Sequence, residues 1–458
     1  MPRTHRLTPK IAPVAPRSMP ANTVGKNAVS KQSGKSKSGD LFVSAPAAGR
    51  TDRSSLRDPA KAAAFVRDFD GRLGLAGNVL KARDAHMTES ALAFFQANPA
   101  LFHSDLSRAG LSDLGEGTPP QIPIDGDSHL ANFGAFRGAD GHSRFGINDF
   151  DQGGLGSPER DLARLAASTV LAARQAGLGK PEQTELVREL GKAYFAQIHD
   201  AAAHRGTPAT LDAGSASGPV KDLLAKSEGN KRKELLGKLV DAPDATSPRF
   251  KLGAELVAVS PADAKAITAG LADYGRARSK DAKAQLPLQV LDLVKKEGSG
   301  GSSFGLPRYY ALVKGQEGKL PVVLEVKLCL PSPLDGKPVD LSRSSAASVL
   351  KSQQALGGLQ NPLTGEARIG GKSFLVRELE PEKERLTPEK QSPKDLLSLS
   401  RQAAMALARS HCQGGRADAL DAWAGGKSKG AVERLTSFAT GYADQAEADY
   451  AFFKASLR

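Results

Sequence analysis

The spacing of apolar positions divides the chain into blocks of different period. From about residue 56 the pattern is helical: Ala-Lys-Ala-Ala-Ala-Phe-Val-Arg-Asp-Phe over 60–69, then a second apolar-periodic stretch around Met87–Phe102. Residues 121–163 break into short apolar runs separated by Gly and Asp, which predicts strands and tight loops. Long Ala- and Leu-rich helical spacing returns over 159–204. A Gly/Ala/Ser/Thr-rich loop follows at 206–219, and 220–280 reads as helices with charged faces. From 286 to 330 the period becomes two, as in strands, and helices resume at about 343–356, 394–412 and 429–456. No repeat of fixed period is present. This order predicts an α+β fold with a larger helical lobe and a small β-rich lobe. The expected divisions are a tail over 1–55, a helical lobe over 56–280, a β-rich lobe over 281–395, and C-terminal helices over 396–458 that pack on the helical lobe.

Charge changes the picture only at the N-terminus. Residues 1–50 hold nine Lys or Arg against one acid, Asp40, and so carry +8 of the net +13. The tail is rich in Ser, Gly, Ala and Pro and nearly free of aromatics, a composition that cannot bury enough apolar surface to order itself. A disordered basic extension is expected. Nucleic-acid binding through it is a weaker alternative, because base stacking has almost no aromatic partners there. No apolar run approaches the ~20 residues that span a bilayer. The two cysteines, Cys329 and Cys412, form no CxxC pair, so neither a disulfide framework nor a cysteine zinc site is supported. A reducing, cytoplasmic setting is the simplest expectation. Delivery from a bacterium without a cleaved signal peptide is the alternative.

The chemistry concentrates in two segments. The first runs Asp125-Gly126-Asp127-Ser128-His129-Leu130-Ala131-Asn132-Phe133-Gly134, then Asn148-Asp149-Phe150-Asp151. Phosphoryl transfer from a nucleotide needs a carboxylate near the acceptor hydroxyl and oxygen ligands that hold magnesium against the phosphates. Asp127 and Asn132 are five residues apart, as are the base and metal-binding Asn of kinase catalytic loops, and Asp149 lies 17 residues after Asn132. Asp, Asn and Gly are also plain turn formers; two linked acidic loops carry more weight than one.

This stretch resembles aminoglycoside phosphotransferases and choline kinases. They share Gly126, Asp127, His129 and Asn132, then Asp149, a Gly seven residues on (Gly156), and Asp161-Leu162-Ala163 twelve residues on. It resembles more closely the bacterial domain of unknown function 2252 family, which is kinase-like and reads Gly-Asp-x-His-x-x-Asn-Phe-Gly followed by Asn-Asp-Phe-Asp. That resemblance runs from about residue 56 to 458. It implies that Asp127 is the catalytic base with His129 orienting, that Asn132 and Asp149, with Asp151 beside them, bind magnesium, and that Asp161 steadies the loop. One departure lies upstream, where Phe94-Phe95-Gln96-Ala97 stands in place of Phe-x-Arg-Gly.

The second segment is Gly298-Ser299-Gly300-Gly301-Ser302-Ser303-Phe304-Gly305, flanked by strand-like runs. Glycine lets backbone N–H groups approach phosphates closely. Val322, Leu324, Val326 and Leu328 then face one way, and Val323, Glu325, Lys327 and Cys329 the other. Lys327 is thus on the third strand around a glycine loop, where kinases place their phosphate-contacting lysine. The following helix offers Gln353 and Gln354 but no acid to pair with it. Arg377 lies on a strand entering a connector, and by position that connector matches an adenine-contacting hinge.

In ordinary kinases the glycine loop and lysine precede the catalytic loop; here they follow it by about 170 residues. The resemblance therefore implies a circularly permuted, two-lobed kinase-like fold, with the helix ending Arg409-Ser410-His411 leading toward the catalytic loop in space. The expected activity is ATP- and magnesium-dependent transfer of phosphate to a hydroxyl of a small molecule or protein. Binding of nucleotide without transfer is the main alternative. Gly301-Ser302-Ser303-Phe304-Gly305 also fits a hydrolase nucleophile elbow, but a strand-like run follows it where that motif needs a helix. Arg368–Ser373 misses a P-loop because Glu366 stands where its first glycine belongs.

Overall fold

A computed structural model describes residues 57–109, 114–241, 247–278, 288–315, 319–335, 338–358, 361–425 and 428–458. Residues Arg53–Arg458 form one compact unit. The expected tail over 1–55 lies outside the described residues.

The chain opens with α1 (Pro59–Leu73), α2 (Gly77–Met87), α3 (Ala91–Ala97) and α4 (Pro99–Ala109). The single stretch read around Met87–Phe102 is thus split. Ser90 caps α3 by accepting from the Ala93 N–H, and Pro99 starts a new helix because it has no N–H to continue the old one. Short strands follow: β1 (Ile122–Ile124), β2 (Phe133–Arg137), β3 (Ser143–Ile147) and β4 (Gly154–Gly156). Then come α5 (Pro158–Gln175), α6 (Lys180–Ala203), α7 (Gly218–Gly229) and α8 (Arg232–Leu239).

The helical reading of 220–280 omits three short strands, β5 (Val240–Asp241), β6 (Arg249–Phe250) and β7 (Leu256–Ala258). Elements of two or three residues leave no period to detect. After α9 (Pro261–Arg278) come β8 (Val290–Lys296), β9 (Arg308–Val313), β10 (Val322–Leu328), α10 (Ala346–Ala355), β11 (Gly365–Ile369), β12 (Lys372–Glu378) and β13 (Glu384–Arg385). The chain closes with α11 (Pro393–Cys412), α12 (Ala417–Ala424) and α13 (Lys429–Ser456).

The result is mixed α/β with antiparallel sheets. The largest sheet has six strands in the order β11-β12-β10-β9-β8-β7. Its first face buries Val322, Leu324, Val326 and Leu328 against Ile267, Leu271 and Tyr274 of α9. On the other face Val323 joins Leu236 and Phe250, and Cys329 meets Ala346 and Val349 of α10. Both faces of β10 are therefore covered, as its near-continuous apolar run requires. β7 is the edge strand of this sheet and α9 packs on its face, so the sheet includes residues before 281. Gly370 and Gly371, both with positive φ, make the two-residue turn between β11 and β12, so the segment resembling a P-loop is a hairpin.

A second core is helical. In α5 every residue from Asp161 to Ala173 is buried, and its many alanines let α6, α11 and α13 pack closely around it. The three-stranded sheet β13-β2-β3 carries the acidic loops at its end, with Asn132 entering β2 and Asp149 leaving β3. Gly134 is needed there because a Cβ would stand 2.3 Å from the Glu384 carbonyl on β13. Cys329 and Cys412 are free, buried thiols, and among the described residues no helix is long and apolar enough to cross a membrane.

Leu324 is fully buried at the centre of the six-stranded sheet. Leu324→Ala is expected to cost about 2–5 kcal/mol, read as a lower urea midpoint; an unchanged midpoint would place the sheet's core elsewhere.

Candidate functional site

The loop after β1 is fixed mainly through one buried carboxylate. In the first turn of α5, Asp161 accepts the backbone N–H of Asp125 at 2.7 Å and of Gly126 at 2.8 Å. His411, in the last turn of α11, contacts the same carboxylate through Nε2 at 3.1 Å, and its Nδ1 lies 2.7 Å from the Tyr194 hydroxyl. Gly126 has φ +78, and a Cβ there would lie 2.5 Å from the Gln152 carbonyl, so the turn requires glycine. Its own carbonyl accepts from His103 Nε2 at 2.6 Å; burial pushes the His103 pKa down to about 3, so that ring is neutral. Asn132 closes the loop by donating its Nδ2 to the Asp127 carbonyl at 2.8 Å, and its Oδ1 has no hydrogen-bond partner among the described residues.

Asp127 is nearly buried. Burial raises its carboxyl to about 7 in spite of Arg164, whose guanidinium bonds Oδ1 at 2.6 Å. Oδ2 has no hydrogen-bond partner among the described residues. Arg164 is itself fully buried on α5, lies over the Phe95 ring at 4.4 Å and donates to the Phe95 carbonyl. His129 is buried beside them, and burial, followed by the Arg164 charge, holds its imidazole well below the usual range and neutral.

Across from this loop stands the ionic face of the large sheet. Register sets Glu325 opposite Arg377 on β12, and Lys327 opposite Arg308 on β9. Glu325 is bonded by Arg377 Nε at 2.7 Å and lies 3.5 Å from Arg308; burial alone would raise it, but the two guanidiniums bring it down to about 2. Lys327 forms an ion pair with Asp151 and lies 3.5 Å from Asp149. The two carboxylates respond differently. Burial works to raise Asp149, but Lys327, Arg377 and Lys383 hold it well below the usual carboxylate range. Asp151 is raised by burial and by the Asp149 charge.

The loop over 298–305 joins β8 to β9 and is anchored from beneath. Arg83 of α2 is fully buried, is held by Asp70 at 2.7 Å, and donates to the carbonyls of Ser302 at 3.0 Å and Phe304 at 3.3 Å. Gln152 Nε2 reaches Ser302 Oγ at 3.1 Å, and Arg308 reaches the hydroxyls of Ser299 and Ser303. One cleft of about 610 Å³ lies between this loop, the ionic sheet face and the acidic loops. It is lined by Asp127, His129, Asn132, Asp149 and Asp151 from one part of the sequence, and by Gly298, Gly300, Gly301, Ser302, Ser303, Lys327 and Arg377 from another.

Residues 77–456 match a family model described as an uncharacterized protein conserved in bacteria (DUF2252). The chain belongs to the DUF2252 family. No curated protein and no solved structure matches it. In this DUF2252 chain Gln96, at the position of the upstream departure, lines the same cleft.

The donor set suits magnesium only with help. Among the described residues no group of three or more His, Cys, Asp or Glu is placed to hold a metal ion. Asn132 lines the cleft, and Asp149 Oδ1 and Asp151 Oδ1 are buried with no hydrogen-bond partner among the described residues. Magnesium commonly takes one or two carboxylates and completes its shell with water and substrate phosphates, so these oxygens fit an ion that arrives with a phosphate chain.

Sequence reading passed over Arg164, Arg83, Arg308 and Lys383. Arg164 had a visible signal, a lone charge inside the apolar face of a helix, three residues after Asp161. Removing one partner of a buried ion pair strands the other. Arg164→Met is therefore expected to lose about 3–5 kcal/mol of stability by chemical denaturation; a loss below ~1 kcal/mol, the worth of an exposed pair, would mean the pair is solvated.

Proposed function

We propose that this DUF2252 chain is an ATP- and magnesium-dependent phosphotransferase acting on a hydroxyl group, with a two-lobed kinase-like arrangement whose chain order is circularly permuted. The observation that carries the reading is the meeting in one cleft of the acidic loops over 125–151 and the glycine loop and lysine over 298–327, separated by about 170 residues. Lys327 on the third strand around the glycine loop, facing the acid of an Asn-Asp-Phe-Asp turn, is what phosphoryl transfer from a nucleotide uses.

In this reading the glycine loop and Lys327 orient the phosphates. Asn132 and Asp149, with Asp151 beside them, would hold magnesium, which neutralises charge developing on the phosphate oxygens when bound. The acceptor oxygen forms a bond to the γ-phosphorus, the bond to the β–γ bridging oxygen breaks, and ADP leaves. Asp127 accepts the acceptor's proton at Oδ2, the oxygen that Arg164 leaves free. Arg164 orients that carboxylate, and the His129 backbone N–H, bonded to the Asp127 carbonyl, holds the turn that presents it. Burial raises the Asp127 carboxyl to about 7, so it must lose its proton before it can accept one. Activity is therefore expected to rise with pH through about 7, and a rate flat from pH 5 to 8 would remove Asp127 from the role.

A second reading, nucleotide binding without transfer, is favoured by one observation. Lys327 is engaged by Asp149 and Asp151, and α10 presents no acid to it.

Calorimetry with ATP and magnesium tests the shared part. Wild type is expected to bind only with magnesium present, and Asp149→Ala to lose at least about tenfold in affinity, the equivalent of 1.4 kcal/mol. Wild type that binds no ATP under any magnesium condition would end both readings. Asp127→Ala separates them: it should keep nucleotide binding and abolish ADP formation from ATP in the presence of hydroxyl acceptors, whereas a protein without transfer forms no ADP in wild type either.

A further inference from the structure

A second chamber, of about 320 Å³, opens beside the cleft and shares Asn148, Asp151, Arg377 and Lys383 with it as a common wall. Its character is different. Apolar side chains, Ile147, Phe150, Val349 and Leu375 among them, make the larger part of its wall, beside Arg137, Glu378 and Glu380. In the larger cleft, by contrast, the sheet face beneath the glycine loop is ionic: Arg308, Glu325, Lys327 and Arg377 occupy adjacent strands. A flat, uncharged ring gains from apolar walls and loses where it must displace ionic contacts.

The shared wall carries two cations with spare capacity. Arg377 commits Nε to Glu325 and has no other acceptor among the described residues. Lys383 is half-buried, with no ion-pair partner among the described residues. A cation held out of water without a partner is costly unless an anion arrives to meet it. The linings give the order along the cleft: Asp151, Arg377 and Lys383 border both spaces, whereas Asp149 and Asp127 line the larger cleft and not the chamber.

We propose that this chamber is the nucleobase subsite of the cleft, and that Arg377 and Lys383 at its mouth bind the phosphates next to the sugar. The proposal rests on the nucleotide reading above and specifies how the nucleotide lies. The base enters between α10 and the β2–β3 hairpin, and the phosphate chain runs past Arg377 and Lys383 toward Asp149, with its far end at Asp127. The face beneath the glycine loop then holds phosphate rather than base.

Calorimetry with two probes, magnesium–ATP and magnesium–tripolyphosphate, separates the subsites. Gln353→Trp fills the chamber from α10. It should weaken ATP by at least about tenfold while tripolyphosphate binds as to wild type. Lys383→Gln should weaken both probes. Because a bulky variant can disturb folding, Gln353→Cys provides a second readout: ATP should protect its thiol from alkylation and tripolyphosphate should not. ATP binding that is unchanged in Gln353→Trp, or a Gln353→Cys thiol that ATP leaves unprotected, overturns the chamber assignment and leaves nucleotide binding standing. Wild type that binds neither probe overturns this assignment and the nucleotide reading together.

Discussion

Lys327 reaches from the face of the six-stranded sheet to Asp149 and Asp151 at the end of β3, and the site depends on that contact. The sheet has its own core with α9, and the helices α5, α6, α11 and α13 have another. Each core would close without the other. An ammonium and two carboxylates withdrawn from water are costly unless they meet, so their meeting fixes where the sheet face stands relative to the acidic loops. The cleft is the space left between them, with the glycine loop over one side.

The remaining buried charges repeat this logic at shorter range. Asp161 has no solvent exposure, yet it receives two backbone N–H groups and His411, so the loop carrying Asp127 is positioned by a group that does not face the cleft. Arg164 does the same for the Asp127 side chain, and Arg83 for the carbonyl side of the glycine loop. Anchoring from behind leaves the front surfaces unspent: Asp127 Oδ2, Asn132 Oδ1 and the terminal nitrogens of Arg377. A site whose supporting groups are locked and whose facing groups are unpaired is organised for a ligand rich in both charge and oxygen.

Much of this was legible in sequence because the determinants are local. Helical period located α11 and α13 closely and covered α5 and α6 as one stretch over 159–204, without the break between Gln175 and Lys180. The alternation over 321–330 separated the core-facing side of β10 from the side bearing Glu325 and Lys327. Motif spacing singled out one group of the cleft's lining, Asp127, Asn132, Asp149 and Lys327 among them, but not Arg308 or Lys383. What sequence did not reveal depends on long-range pairing. That Lys327 would meet Asp149 and Asp151 rather than a helix acid is a fact of docking across 178 positions. Arg83 and Arg164 acquire meaning only when their carbonyl and carboxylate partners are in place. The chamber behind Asp151 is assembled from four separate segments, none with a motif of its own. The strands over 240–258 are too short to leave a period.

The central claim is that the two halves of the cleft grip one nucleotide. A crystal structure of the chain with magnesium and a non-hydrolysable ATP analogue tests it most directly. The account predicts phosphate oxygens within contact of Lys327 and the backbone of residues 298–305, with a magnesium ion on Asn132 and Asp149 between them and Asp127. An analogue bound elsewhere on the surface, or bound in the cleft with its phosphates away from Lys327 and Asp149, would contradict it.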